Sequence, residues 1–311
     1  MGNVFFFAWE PALIEWLQTS LEGFGITLMY LVSIFGEELM LVAILGFFYW
    51  CWNKRMGISV GLGLLTASVW NPMVKNIALR LRPYMVHDNI RCLKKVDAKA
   101  DIMDVASQGY SFPSGHSANS SATYLGAARQ LKKKVFWVIA VVLTLLVGIS
   151  RFTLGVHYPT DVLAGWALGL LAVTVTGLLE KHVQKRWLLY GILFLTVLPG
   201  LFYCRTHDYF SSLGMLAGLA LGDLFERKYV HFENTRRIVP MLLRLAGGFA
   251  LYVGLNTLLK MPFSKDFLSS ATAGAFAVRC LRYLIVTFLL IGPYPMLFGK
   301  LKFLNPDKKE N

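Results

Sequence analysis

Cationic and imidazole side chains occur in three short segments that lie between apolar stretches of the chain. The first segment is KNIALRLRP, Lys75 to Pro83, in which Lys75 and Arg82 are seven residues apart. That spacing is about two helical turns, so both cations lie on one helix face, and Pro83 then ends the helix. Snorkelling cations at a helix end produce the same pattern, so this segment alone does not define a site.

The second segment is SFPSGHSANSS, which places Ser114, Gly115 and His116 at the start of a predicted helix. The N–H groups of a first helical turn have no partner within the helix, and glycine permits close approach of a ligand. A helix start of this kind can bind an anion. Ordinary turn chemistry before a helix also uses these residues, so the other two segments must support the assignment.

The third segment is SRFTLGVHYPTD, which separates two long apolar runs. Arg151 ends the first run, and Asp161 follows His157 by four residues. This spacing lets Asp161 accept a hydrogen bond from one imidazole nitrogen and leaves the other nitrogen for nucleophilic attack. Helix capping by Asp161 is the alternative interpretation.

Together the segments contain three permanent cations, two histidines, one carboxylate and a helix N-terminus. Phosphoryl transfer requires cations on the equatorial oxygens, a nucleophile in line and an acid for the leaving oxygen. A metal site formed by His116, His157 and Asp161 is the rival interpretation. It is disfavoured because each nearby cation would repel a divalent ion by several kcal/mol at about 4 Å, for an effective dielectric constant of about 20. We therefore expect no metal and no cofactor.

The three segments, in this order, resemble the three-part signature of the type 2 phosphatidic acid phosphatase superfamily. The matching positions are Lys75-x6-Arg82-Pro83, Pro113-Ser114-Gly115-His116 and Ser150-Arg151-x5-His157-x3-Asp161. The resemblance is close over 75–161 and extends in outline over 26–204, but it does not include the last 107 residues.

The resemblance implies a metal-independent reaction with two chemical steps. His157 would be the nucleophile that forms a phosphohistidine, oriented by Asp161. His116 would protonate the leaving oxygen and later activate water. The groups that would bind the phosphate are Lys75, Arg82, Arg151, Ser114 and the N–H of Gly115.

Composition indicates that these segments belong to a membrane protein. Only 16% of the 311 residues are charged and 56% are hydrophobic, whereas a soluble domain carries about 25% charged residues. Apolar runs of about 18 residues or more recur along the chain, as in transmembrane helices. The net charge of +13 is distributed in short clusters between these runs, which argues against nucleic-acid binding. The four cysteines form no CxxC pair, and a Cys92–Cys204 disulfide is the alternative to free thiols.

We predict an all-α integral membrane protein of about nine transmembrane helices. The predicted spans are 26–52, 56–80, 116–131, 134–151, 160–179, 187–204, 209–225, 238–260 and 270–298. Alternate loops carry 17 of the 31 lysines and arginines, which puts the N-terminus outside and the C-terminus in the cytoplasm. The predicted divisions are an interfacial N-terminal segment, 1–25, a six-span phosphatase core, 26–204, and additional C-terminal helices, 205–311.

Several charged residues outside the three segments have no role that the sequence assigns. Glu37 and Glu38 in the first span are costly to bury, so they are expected to pair with a cation or to line a polar cavity. Arg279 and Arg282 in the last span either pair with them or snorkel.

The polar loop 84–112 is long for a connector. It is interpreted as a lid over the phosphate or as a solvated connection. Its Arg91, Lys94 and Lys95 are candidate contacts for a second phosphate.

The expected activity is hydrolysis of a phosphatidyl-type lipid phosphate or a polyprenyl diphosphate, such as the undecaprenyl carrier, at the extracytoplasmic face of the cell membrane. Its partners would be a membrane lipid substrate and the bilayer, with no nucleic acid. A phosphotransferase that passes the phosphoryl group to another lipid or sugar is one alternative, and a non-catalytic lipid transporter is another. The sequence does not indicate an oligomeric state.

Overall fold

The computed structural model describes residues 2–304, and its regular structure within that range is helical. The α-helices are α1 (Trp9–Ser20), α2 (Phe24–Ser33), α3 (Glu38–Gly46), α4 (Lys54–Ala78), α5 (Pro83–Val86), α6 (Val105–Gln108), α7 (Gly115–Leu131), α8 (Lys134–Thr153), α9 (Pro159–His182), α10 (Arg186–Val197), α11 (Gly200–Tyr203), α12 (His207–Phe225), α13 (Ile238–Leu258), α14 (Lys265–Ser269), α15 (Ala273–Ile291) and α16 (Met296–Lys300). Two 3₁₀ turns, Ile34–Gly36 and Lys302–Leu304, and two π-helical segments, Phe47–Trp52 and Glu226–Val230, complete the described secondary structure.

Six segments of the described chain are long and apolar enough to cross a membrane. They are Lys54–Ala78, Lys134–Thr153, Pro159–His182, Arg186–Tyr203, Ile238–Leu258 and Ala273–Lys300. The bent pair Trp9–Ser20 and Phe24–Gly36, with 116° between its halves, would be a seventh. The prediction of an all-helical integral membrane protein is confirmed, whereas the count of nine spans and their orientation stay predictions.

The predicted first span, 26–52, is divided into two helices. Helix α2 gives way to the 3₁₀ turn Ile34–Gly36, and α3 begins at Glu38 after an extended residue, Glu37. A Cβ on Gly36 would lie 2.7 Å from Val147 Cγ1 and 3.1 Å from His116 Cβ. The helix therefore ends where its backbone lies directly against α7 and α8.

The chain forms two compact units. The first contains the residues up to Leu41 together with Trp70–Thr174, and the second contains Val42–Val69 and the chain from Val175 onward. All three motif segments lie in the first unit. The predicted division at residues 204 and 205 stays a prediction.

In the first unit, α7 and α9 run parallel and pack closely through two glycines of α9. A Cβ on Gly165 would lie 2.6 Å from Ser114 O, and one on Gly169 would lie 2.3 Å from Ala118 O. Small residues four apart let two helix backbones approach in this way. Because the contacts advance together along both helices, α7 and α9 begin side by side. The second and third motif segments are therefore brought to the same place.

The N-terminal helix α1 belongs to the core of the first unit. Ile14 packs in one buried cluster with Tyr84, Ile90, Leu154 and Tyr158. Gln18 donates hydrogen bonds to Arg91 O and Thr153 O. Part of the segment predicted to lie at the membrane interface thus covers the 154–158 connection.

The second unit uses the same packing device as the first. A Cβ on Gly214 or Gly218 of α12 would lie 2.2 Å from Cys280 O or 2.5 Å from Leu284 O, respectively. These contacts also advance together, so α12 and α15 are parallel.

Candidate active site

Helix ends place the second and third motif segments against each other. Arg151 lies in the last turn of α8, and His157 lies in the short connection before α9. Ser114 caps α7 by accepting from Ser117 N, and its own N–H donates to Asp161 O at 2.9 Å. The start of α7 is therefore tied directly to the start of α9.

Asn71 on α4 supports the start of α7 and was not identified from the sequence. Its side-chain amide donates to Pro113 O at 3.1 Å. A Cβ on Gly115 would lie 3.4 Å from Asn71 Oδ1. Asn71 of α4 thus positions Gly115 and the backbone of Pro113.

The buried imidazole of His157 presents one nitrogen to the protein. Its Nδ1 lies 3.5 Å from Asp161 Oδ2 and 3.5 Å from Ser111 Oγ. The contact with Asp161 occurs at the predicted i, i+4 spacing. Because Nδ1 faces these groups, Nε2 is the ring nitrogen that does not contact Asp161 or Ser111.

Asp161 is fixed by donors on several sides. Tyr158 N donates to Oδ2 at 2.7 Å, and the Ser111 hydroxyl donates to the same oxygen. Arg80 Nη1 donates to Oδ1 at 2.6 Å. The carboxylate therefore has a set orientation relative to the imidazole.

Arg80 and Glu10 extend this arrangement into a buried ionic network. Arg80 Nη2 lies 3.1 Å from Glu10 Oε2, and both side chains are at most 1% exposed. Glu10 Oε1 accepts from Thr160 N at 2.9 Å and from Thr160 Oγ1 at 2.7 Å. The Arg80 guanidinium also lies 3.9 Å from the centre of the Tyr158 ring. No sequence spacing links Glu10 to residues so distant in the chain, and Arg80 lies inside KNIALRLRP without belonging to the motif positions.

The two cations of the first motif segment contact the loop 84–112. Lys75 Nζ donates to Tyr110 O at 2.8 Å. Arg82 Nε donates to Gln108 O and Gly109 O, both at 3.0 Å. Arg82 Nη1 also donates to a carbonyl of the third segment, that of Val156, at 2.8 Å. Arg82 thus joins the loop to the connection that carries His157.

Arg151 differs from the other buried cations of the first unit. Its side chain is 2% exposed. Its Nε and Nη1 have no hydrogen-bond partner within residues 2–304. A buried guanidinium with unmatched donors is costly unless an anion satisfies it.

The cations share one electrostatic environment with both imidazoles. Burial, followed by the charges of Arg82, Lys75 and Arg151, holds the pKa of His157 well below its ordinary value. The imidazole is therefore neutral at neutral pH, as a nucleophile must be. His116, in the first turn of α7, experiences the charges of Arg151 and Lys75 and interacts with His157.

Glu37 pairs with a cation, and the partner comes from the loop 84–112. Lys94 Nζ lies 2.5 Å from Glu37 Oε1 and donates to Ser33 Oγ at 2.6 Å. Arg91 of the same loop donates to Gln18 O at 3.2 Å. Two of the three loop cations predicted to contact a second phosphate are therefore engaged with the first unit itself. Whether the loop acts as a lid stays a prediction.

No three His, Cys, Asp or Glu side chains within residues 2–304 are grouped so that they could hold a metal ion. The rival trio of His116, His157 and Asp161 is thus not a formed ligand set. All four cysteines are free thiols, so the alternative Cys92–Cys204 disulfide is absent from the described chain.

Comparison with known proteins identifies the family. The family model described as PAP2 superfamily matches residues 56–185, and the model described as PAP2 superfamily phosphatase, transmembrane extension, matches 210–307. No solved structure gives a significant match.

Three relatives illustrate the range of similar proteins. Phosphatidylglycerophosphatase B of Bacillus subtilis is 40% identical over 26% of this chain and 44% of its own length. Undecaprenyl-diphosphatase of Sulfolobus acidocaldarius is 29% identical over 42% of this chain and 62% of its own length. Decaprenylphosphoryl-5-phosphoribose phosphatase of Mycobacterium tuberculosis is 30% identical over 44% of this chain and 71% of its own length. The chain therefore covers less than two thirds of the length of the first two relatives. These matches, together with the geometry of the motif segments, show that the chain belongs to the PAP2 superfamily.

Proposed function

We propose that this protein is a metal-independent phosphatase of lipid phosphates or polyprenyl diphosphates that acts through a phosphohistidine on His157. The observation that carries the proposal is the buried guanidinium of Arg151, whose Nε and Nη1 have no partner within the described chain. A phosphate would supply both the counter-charge and the acceptor oxygens, and charge-assisted bonds of this kind are strong. The neutral imidazole of His157 lies within the field of the same cation.

In the first step, His157 Nε2 attacks phosphorus and the bond from phosphorus to the leaving oxygen breaks. His116 gives its proton to that oxygen. Lys75, Arg82 and Arg151 stabilise the charge on the equatorial oxygens, assisted by Ser114 and the Gly115 N–H. Asp161, held by Arg80 and Ser111, offsets the positive charge that the imidazole ring acquires on phosphorylation.

In the second step, water attacks the phosphohistidine, and His116 accepts the proton from the water. The phosphorus–nitrogen bond breaks with its electron pair returning to Nε2. Inorganic phosphate leaves, and His157 is again neutral. One histidine therefore serves as acid and then as base, without a second proton carrier.

The substrate class follows from the family and from the position of the site. The names of all three relatives specify lipid-linked phosphates or diphosphates. The motif residues lie at helix ends, where a head group can reach His157 while its tail stays in the bilayer. The basic turn 129–134 lies at the other end of α7 and α8, which supports an extracytoplasmic active site by the positive-inside rule.

Phosphate release from purified protein in detergent with EDTA tests the reaction. The substrate panel contains undecaprenyl diphosphate, phosphatidylglycerophosphate and phosphatidic acid, with free phosphate and phosphorylated transfer products measured in parallel. We expect release that EDTA does not reduce and that His157→Ala abolishes. His182→Ala, which removes an exposed histidine at the end of α9, is the matched control and should stay active. Loss of activity with the chelator, or an active His157→Ala variant, would refute the mechanism. A dominant transfer product would identify a phosphotransferase.

Cysteine labelling in intact cells tests the orientation. Lys99→Cys, in the loop 84–112, should react with a membrane-impermeant maleimide. Lys132→Cys, in the basic turn, should react only after permeabilisation. The reverse pattern would place the site in the cytoplasm.

A further inference from the structure

Five arginines are buried in the described chain: Arg80, Arg82, Arg151, Arg244 and Arg282. Arg80 binds carboxylates, whereas Arg82 and Arg244 donate to backbone carbonyls. Arg151 and Arg282 differ from these three, because their side chains donate no hydrogen bond to another residue within 2–304. Arg151 is the proposed phosphate ligand, so the second unit contains an arginine with the same unmatched character.

Burial of the Arg282 side chain costs free energy, because the charge has no hydrogen-bonded counter-ion. Arg282 lies in the candidate span Ala273–Lys300, is 3% exposed, and its buried Nε has no partner. A snorkelling arginine would extend its head group into solvent, which this burial contradicts. The ring of Tyr283, 5.1 Å from the guanidinium, supplies only a weak attraction. Intramembrane cations without a partner indicate a functional site.

Other cations surround Arg282 in the second unit. Arg279 lies one turn earlier on α15, and Lys260 follows the end of α13. Burial, followed by the charges of Arg282 and Arg279, lowers the pKa of Lys260. The same two arginines act on His207 at the start of α12. Basic side chains of α12, of α15 and of the segment that follows α13 thus interact in one cluster.

Contacts at the start of α12 fix the position of His207. Its ring packs edge-on against Phe276 of α15 with 5.4 Å between ring centres, and its Nε2 lies 3.2 Å from Ser269 O. Its buried Nδ1 has no partner within the described chain. The exposed Asp208 is the carboxylate that acts on this histidine.

Arg282 lies at the middle of α15, beside exposed apolar residues of the same helix. Helix α15 begins at Ala273, so Arg279 and Arg282 lie about 9 Å and about 14 Å along the axis from its start. Both arginines therefore lie in the part of α15, from its start to its middle, that also contacts the start of α12 through Phe276 and His207. Leu281 and Ile285, both exposed apolar residues of α15, flank Arg282 and present a surface for acyl chains.

We propose that Arg282, with Arg279, Lys260 and His207, binds the phosphate of a membrane lipid head group whose chains lie along Leu281 and Ile285. This lipid site is separate from the catalytic residues and does not depend on the proposed reaction. A lipid is favoured over a free anion because the buried cation adjoins an exposed apolar surface of a membrane-spanning helix.

Thermal unfolding of the full chain in a non-ionic detergent tests the lipid site. The probes are dihexanoyl phosphatidylglycerol, dihexanoyl phosphatidylcholine and inorganic phosphate. The phosphodiester of phosphatidylglycerol is not a substrate for the proposed phosphomonoester chemistry. We expect it to raise the melting temperature by about 5 °C at 100-fold excess over Kd, with shifts below about 1 °C for the other two probes.

Arg282→Gln should reduce the phosphatidylglycerol shift to below about 1 °C. Without lipid it should melt at or above the wild-type temperature, because an unmatched buried cation has been removed. Lys265→Gln, which removes an exposed lysine of the same unit, is the control and should keep the full shift. Arg151→Gln should also keep it, which separates the lipid site from the catalytic site.

Four results would overturn the proposal: a full shift in Arg282→Gln, no shift in the wild type, an equal shift with phosphatidylcholine, or an equal shift with inorganic phosphate. The last result would identify a free-anion site. If Arg282→Gln does not fold, Arg282 is structural, and Lys260→Gln then decides the remaining question. Its failure to reduce the shift would exclude the cluster from lipid binding.

Discussion

Replacement of Arg80 by glutamine tests whether the buried network positions His157, the proposed nucleophile. Arg80 bridges Asp161 at 2.6 Å and Glu10 at 3.1 Å, and neither carboxylate is exposed. Removal of one partner from a buried ion pair costs about 3–5 kcal/mol, because the other charge stays buried. We expect Arg80→Gln to destabilise the protein by that amount and to lower kcat by about 100-fold, equivalent to about 2.7 kcal/mol.

The pH profile of kcat/KM distinguishes positioning from loss of folded protein. Without Arg80, the charge of Asp161 acts more strongly on His157 and favours the protonated imidazole. The acid limb of the profile should therefore move to higher pH in Arg80→Gln, whereas a smaller folded fraction would only lower the whole curve. Arg80→Lys should restore part of the rate, since lysine keeps the charge but has no planar fork to reach both carboxylates.

A double variant supplies the sharpest refutation. If Arg80 acts through Asp161, Arg80→Gln should reduce kcat by less than about threefold in an Asp161→Asn background. Full additivity of the two substitutions would show that Arg80 acts by another route. If Arg80→Gln has the wild-type kcat, Arg80 does not position His157.

Three further predictions follow from single features of the first unit. Arg151→Gln should lower kcat/KM by about 10³-fold while the melting temperature stays equal or rises, because the substitution removes a buried charge with unmatched donors; a large fall in melting temperature would show that Arg151 is structural. Because the pKa of His157 is lowered, kcat/KM should stay level as pH falls through about 6.5 and decline only below it. The stability contributed by the neutral ring should be complete above about pH 6.5 and lost at lower pH. A decline of kcat/KM or of the free energy of unfolding centred at about pH 6.5 would contradict the corresponding prediction. Gly165→Ala should lower the melting temperature and kcat, since its Cβ would lie 2.6 Å from Ser114 O, whereas Gly191→Ala, with nothing within 4 Å, should be neutral or stabilising.

The motif positions were predictable because chemistry and topology constrain them locally. His157 and Asp161 are four residues apart, and the described contact between their side chains is the one that this spacing allows. Helical spans of opposite direction bring alternate connections to one end, which is why Ser114 and Asp161 share a hydrogen bond. The catalytic roles themselves stay predictions until variants are measured.

Long-range partners were not predictable, because no periodic pattern encodes them. Glu10 lies in an aromatic and acidic segment that indicates an interfacial helix, yet it is fully buried against Arg80. Its charge alone makes Lys94 a candidate contact for a second phosphate, and no sequence pattern indicates its pairing with Glu37. The break near Gly36 was missed for a similar reason, since only the packing of His116 and Val147 against that glycine shows why a continuous helix cannot form there.

The bond between Glu10 and Thr160 spans 150 residues of chain, which has a consequence for biosynthesis. At about 5–20 residues per second, the ribosome needs about 8–30 s to deliver the partner after the carboxylate has emerged. During this interval the Glu10 carboxylate lacks Thr160, which donates two of its hydrogen bonds in the folded protein. Deletion of the first ten residues would remove Glu10 and leave Arg80 to pair with Asp161.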